Sequence, residues 1–160
     1  MPNICDKLKV EVPYLEQIRR IRTVLEHTLS YFPSDRCDYS ARVVKTLVPD
    51  LKEVAGEYRP WQRWHAWNYD RERGLYVDLS FDQFAPIPDE VKDLENIPST
   101  VTIDGFFGVH FQGVTIFPKK TSLLRTINSR THNQRSRDDN VFVDDVERIC
   151  RIYSEIYSKN

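Results

Sequence analysis

Three residues occur in the order that thiol chemistry requires: Cys37, then His65, then Asp78. A thiol nucleophile needs a partly ionised cysteine, a histidine to take its proton and a third group to orient that histidine. Cys37 follows Ser34 and Asp35, both residues of the type that cap a helix N-terminus. A helix start offers unpaired N–H groups and a partial positive charge, which together favour a thiolate. The same N–H groups can stabilise the oxyanion that forms when a carbonyl is attacked. A small apolar residue on the buried face of that helix is the plainer role for the same cysteine.

His65 and Asp78 must be brought together by the elements that carry them. Residues 61–69 and 75–81 have the side chains and alternation of two strands, separated by the polar loop Asp70-Arg71-Glu72-Arg73-Gly74. A four-residue loop over Asp70–Arg73 sets Tyr69 opposite Gly74 and His65 opposite Asp78. Directly opposed residues share a face, with Cβ atoms about 4.5–5.5 Å apart. Asp78 is then placed to hold one tautomer of the imidazole. A purely structural His–Asp bond in a half-buried hairpin has the same spacing. Trp67 and Tyr69 fall on the His65 face and are candidate walls of a substrate groove. Gln83 is a candidate substrate or oxyanion donor, although strand parity puts it opposite Asp78 and suits a strand-end role.

The remaining elements follow from periodicity. Tyr14, Ile18, Ile21, Leu25, Leu29 and Phe32 predict an amphipathic helix over residues 13–32, opened by Pro13 and stopped by Pro33. Cys37, Ala41, Val44, Leu47, Val48 and Leu51 predict a second helix, interrupted by Pro49. Residues 85–100 read as a surface connection, 101–117 as strands with turns, and 118–140 as a basic loop. Val143, Val146, Ile149, Cys150, Tyr153 and Ile156 predict a terminal helix over 141–158.

The string Trp64-His65-Ala66-Trp67, followed by Asp78-Leu79-Ser80-Phe81-Asp82-Gln83-Phe84, resembles bacterial members of the transglutaminase-like branch of the papain-like cysteine superfamily. Those proteins carry a His-Ala-Trp strand and then an Asp-Leu-Thr-x-Asp-Gln-Phe-type strand. Upstream they have a cysteine at a helix start, often with Ser or Ala three residues on, as Cys37 and Ser40 are here. The resemblance spans residues 34–84. It implies an α+β fold with a papain-like core, in which the nucleophile helix packs on an antiparallel sheet, flanked here by N- and C-terminal amphipathic helices. It also implies acyl transfer: attack by Cys37 on an amide or ester, with water or an amine resolving the thioester. Peptidases, deamidases, acyltransferases and crosslinking enzymes share that fold, so it does not choose a substrate. Arg36 and Asp38 flank Cys37 where the family commonly has a small residue. That departure supports a second reading, a catalytically silent binding protein.

Composition bounds the rest. The chain has 160 residues, 40% hydrophobic and 29% charged, with net charge −1. That composition predicts a single domain over 1–160 and argues against a dedicated nucleic-acid binder. Three cysteines are too few and too scattered for a disulfide framework. Without a signal-like N-terminus or an apolar run of about 20 residues, the expectation is a cytoplasmic protein that spans no membrane. Cys150 reads as core filler, and Cys5 as an inert residue near one end. No cofactor is expected. A zinc site from Cys37, His65 and Asp78 is the disfavoured reading, because no paired metal-ligand spacing accompanies it. The expected partner is a protein, peptide or small amide substrate. A third reading is a nucleic-acid adaptor using Lys119, Lys120, Arg125, Arg130, Arg135 and Arg137, though this basic stretch lacks interleaved aromatics.

Overall fold

The computed structural model describes residues 12–84, 99–103, 106–121, 123–127 and 140–158. Cys5, residues 85–98 and Arg130, Arg135 and Arg137 lie outside them. The order of elements is α1 (Leu15–Thr28), α2 (Cys37–Leu47), β1 (Leu51–Tyr58), β2 (Arg63–Asp70), β3 (Leu75–Asp78), β4 (Ser99–Ile103), β5 (Phe106–Phe111), β6 (Val114–Pro118), β7 (Leu124–Thr126) and α3 (Asn140–Tyr157). Short 3-10 turns at Arg59–Trp61 and Phe81–Gln83 flank β2 and β3. The fold is α+β, with a seven-stranded sheet in the order β4-β5-β6-β3-β2-β1-β7. Every pairing is antiparallel.

Each face of the sheet has its own core. Ile18, Ile21 and Leu25 of α1, Val43 and Val44 of α2, and Phe142, Val146 and Ile149 of α3 cover Val77 and Ile116. Each helix thus buries an i, i+3, i+4 stripe against the sheet. Strand alternation sends the neighbours of those sheet residues to the other side. Tyr76 and Phe117 lie there in an aromatic cluster with Tyr58, Trp67, Phe81 and Phe84. Burying each large side chain is worth about 1.5–3 kcal/mol.

Several boundaries differ from the sequence expectation. Helix α1 ends at Thr28, and the chain leaves it extended at Leu29. Helix α2 ends at Leu47, and Leu51 opens strand β1 rather than closing a helix. Ser34 and Asp35 do not cap α2; Arg36 holds the cap position without a side-chain bond. Trp61 belongs to a 3-10 turn, and Phe81 leaves β3 for another. The basic loop contains β7, whose Arg125 pairs with Glu57 of β1 at 2.8 Å. The expected connection over 85–100 gives up Ser99 and Thr100 to β4. Gly56 permits the β1–β7 approach: a Cβ there would lie 1.8 Å from the Arg125 carbonyl oxygen.

The hairpin loop has the expected length but is offset by one residue. Tyr69 faces Tyr76 and Asp70 faces Leu75, so the loop is Arg71–Gly74. Gly74 supplies φ +64°, and the Arg73 N–H donates to Asp70 Oδ1 at 3.1 Å. A residue tolerant of the left-handed region is needed inside the loop rather than on the strand after it. The ladder stops at Asn68 opposite Val77.

Candidate active site

His65 and Asp78 meet across the open end of that ladder. The two-residue change in register preserves their shared face but makes the contact diagonal. The His65 Nε2–H donates to Asp78 Oδ2 at 2.5 Å. The other carboxylate oxygen accepts from the Ser80 N–H at 2.9 Å and the Ser80 hydroxyl at 3.2 Å. Asp78 is therefore held on both oxygens before it orients the ring. Both His65 and Asp78 are essentially sealed from solvent, at 0% and 1% exposure.

The opposite ring nitrogen is different. Nδ1 of His65 is buried and makes no hydrogen bond of ordinary geometry, while the Cys37 thiol is near enough to act on the ring by hydrogen bond and charge. Cys37 is the second side chain whose proximity favours the imidazolium, after Asp78. Burial pulls the His65 pKa down, but the charge and hydrogen bond of Asp78, with a contribution from Cys37, push it up to about 10. Cys37 is the first residue of α2 and is 6% exposed. It packs with Ala41 and Ala66, and Trp64 lies against that cluster. Asn68 ties α2 to β2 by donating from Nδ2 to the Ala41 carbonyl at 2.9 Å.

The turn after Asp78 reaches three other parts of the site. Asp82 accepts from Arg22 of α1 through both oxygens, at 2.8 and 2.9 Å. Arg22 also donates to the Leu79 carbonyl at 2.6 Å and the Gly113 carbonyl at 3.0 Å. Gln83 Nε2 donates to the Ser80 carbonyl at 3.1 Å, and its Oε1 accepts from the Asp35 N–H at 3.3 Å. Asp35 lies two residues before Cys37 and pairs with Arg63 at the surface. Phe84 sets its ring edge-on to the imidazole at 4.7 Å between centroids.

The candidate groove residues lie in different surroundings. Trp67 stacks on His65 at 5.8 Å and is 1% exposed, so it supports the imidazole from within the aromatic core. Tyr69 is half-buried; it meets Tyr76 and lies under Lys119 Nζ at 5.0 Å. Gln83 is engaged at both ends of its amide. Arg22 carries no signal in the sequence; a buried arginine on the apolar side of a helix is visible only once the fold is known. Cys150 lines a cavity of about 350 Å³ with Arg42, Val143 and Glu147, and burial pushes its thiol pKa up. Among the described residues, no group of three His, Cys, Asp or Glu side chains is placed to hold a metal ion. No described helix is long and apolar enough to cross a membrane. The chain matches no family model, no curated protein and no solved structure.

Proposed function

We propose that this chain is a cysteine-dependent hydrolase or acyltransferase of the transglutaminase-like, papain-like kind, acting on an amide or ester through a thioester on Cys37. The observation that carries the reading is the asymmetry of the His65 ring. Nε2 is committed to Asp78 at 2.5 Å, while Nδ1 makes no hydrogen bond of ordinary geometry and Cys37 stands beside the ring.

The Cys37 proton passes to Nδ1, leaving a thiolate and an imidazolium held by Asp78. The sulfur attacks the carbonyl carbon, and the carbonyl π pair moves to oxygen. A helix start leaves backbone N–H groups available, and that of Cys37, the first residue of α2, would be the donor to that negative charge. The intermediate collapses, Nδ1–H protonates the departing nitrogen or oxygen, and a thioester remains. Water or an amine then gives its proton to Nδ1 and attacks the thioester, and the thiolate leaves. Free thiols at Cys37 and Cys150 suit the reducing cytoplasm.

The sealed imidazole favours a second reading, a silent member of the same fold that binds rather than reacts. Alkylation separates the two. With Cys5 and Cys150 changed to serine, iodoacetamide should modify Cys37 rapidly below pH 7, and His65→Ala should abolish that reactivity. A rate that rises only toward pH 8.5, and is unchanged in His65→Ala, overturns the enzyme reading.

A further inference from the structure

Five consecutive exposed residues, Arg59-Pro60-Trp61-Gln62-Arg63, lead into the strand that carries His65. They are well ordered by their bonds. The Arg59 N–H donates to the Leu123 carbonyl at 2.9 Å, and the Gln62 N–H to the Arg59 carbonyl at 3.1 Å. Trp61 is 55% exposed, yet its ring rests edge-on against Tyr58 at 5.8 Å and Phe84 at 5.6 Å. Phe84 is the ring that meets the imidazole. The open part of the indole is therefore one ring removed from His65. An indole supported from beneath and bare above loses little side-chain entropy when a ligand covers it.

Two arginines, Arg59 and Arg63, flank this indole in the chain. Arg59 is exposed and forms no ion pair among the described residues. Arg63 pairs with Asp35, but the two side chains are 50% and 74% exposed. Such a surface pair is weak and exchanges readily for another carboxylate. A chain of net charge −1 has no general excess of cations to explain two arginines flanking a half-bare tryptophan. Displacing Asp35 from Arg63 would remove one of the bonds that hold the segment before Cys37, leaving that of the Asp35 N–H to Gln83.

We propose that Arg59, Trp61 and Arg63 form a docking ledge for an acidic polypeptide segment, one that lays an aromatic or aliphatic side chain on Trp61 between carboxylates bound by the arginines. The ledge rests on the acyl-transfer reading of Cys37, whose substrate it presents. A polypeptide fits better than a nucleic acid. Two arginines and one indole match a short acidic stretch, whereas a single strand needs a longer basic groove and successive stacking rings.

The test uses the full chain with Cys37→Ser and three synthetic peptides of equal length: phenylalanine-glutamine flanked by glutamates, the same core flanked by lysines, and alanine-glutamine flanked by glutamates. Binding is read by calorimetry, with a single-stranded oligothymidine as a fourth ligand. The first peptide should bind at least about tenfold more tightly than the other two, and Trp61→Ala should remove roughly that factor. Arg59→Glu should do the same for the glutamate-flanked peptide, and added salt should weaken it. Trp61→Phe keeps the rings beneath packed and should retain most of the binding. Equal binding of all three peptides, indifference to Arg59→Glu, or tighter binding of oligothymidine overturns the ledge. Binding without turnover in the unmodified chain, together with an ordinary Cys37 alkylation profile, overturns the catalytic reading and leaves the ledge standing.

Discussion

Asp78 decides what His65 can do. A buried imidazole ionises with difficulty, and here the adjacent carboxylate reverses that tendency. Asp78→Asn keeps the shape and removes the charge. The His65 pKa should then fall steeply, because only Cys37 is left to oppose burial. The asparagine amide can also donate to Nε2, which moves the ring proton to Nδ1, the nitrogen that would accept the Cys37 proton in the proposed reaction. Alkylation of Cys37 at pH 6, and turnover of any substrate found, should drop roughly 100- to 10,000-fold. NMR titration of the ring checks the first effect, and stopped-flow alkylation the second. The pairing of His65 with Asp78 was legible in the sequence because strand parity survives a two-residue change of register. The side chains that hold the pair were less legible. Ser80 and Arg22 reach the site through a turn and through a helix distant in sequence, which no local spacing encodes.

At the scale of elements, Arg22 fastens α1 to the turn after β3. It is 6% exposed and serves Asp82, Leu79, Gly113 and Glu26. Arg22→Met fills the space but leaves Asp82 and two carbonyls without their donor. Loss of one partner of a buried pair costs about 3–5 kcal/mol, and the partial exposure of Asp82 places the loss near 3 kcal/mol, measurable as a lower urea midpoint. Lys in place of Met should recover only part, since it cannot meet both oxygens of Asp82. Helices α1, α2 and α3 were legible because each repeats apolar residues at helical spacing. Strands β1 and β7 were not. In β1, Lys52, Glu53 and Glu57 break simple alternation, because Glu53 and Glu57 are answered by Arg42 and Arg125 from outside the strand. Strand β7 is three residues long, and Gly56 lets its backbone come close.

Across the whole molecule, stability should depend on pH through His65. Its folded pKa is raised from 6.5 to about 10, so the folded state holds a proton that the unfolded state has released between those values. The contribution is complete below about pH 6.5 and is lost as pH rises through about 10. Tyr14 adds to the alkaline side: burial and the Asp70 carboxylate raise its pKa, so unfolding above pH 10 is favoured further. Denaturant unfolding at intervals from pH 6 to pH 10 should show a falling midpoint. The part of that slope below pH 9 should disappear in His65→Gln. A slope unchanged by His65→Gln would assign the effect to other groups.

The sealed imidazole also governs how fast its proton trades with water. A ring at 0% exposure, bonded at 2.5 Å to a carboxylate itself 1% exposed, exchanges only when the structure opens around it. The Nε2–H of His65 should therefore persist long enough to give its own low-field proton resonance in water at neutral pH. Its exchange rate then becomes a clock for the opening of the structure around the ring, the motion that the proposed reaction at Cys37 would need. A ligand seated on Trp61 that displaces Asp35 from Arg63 should make that clock run faster.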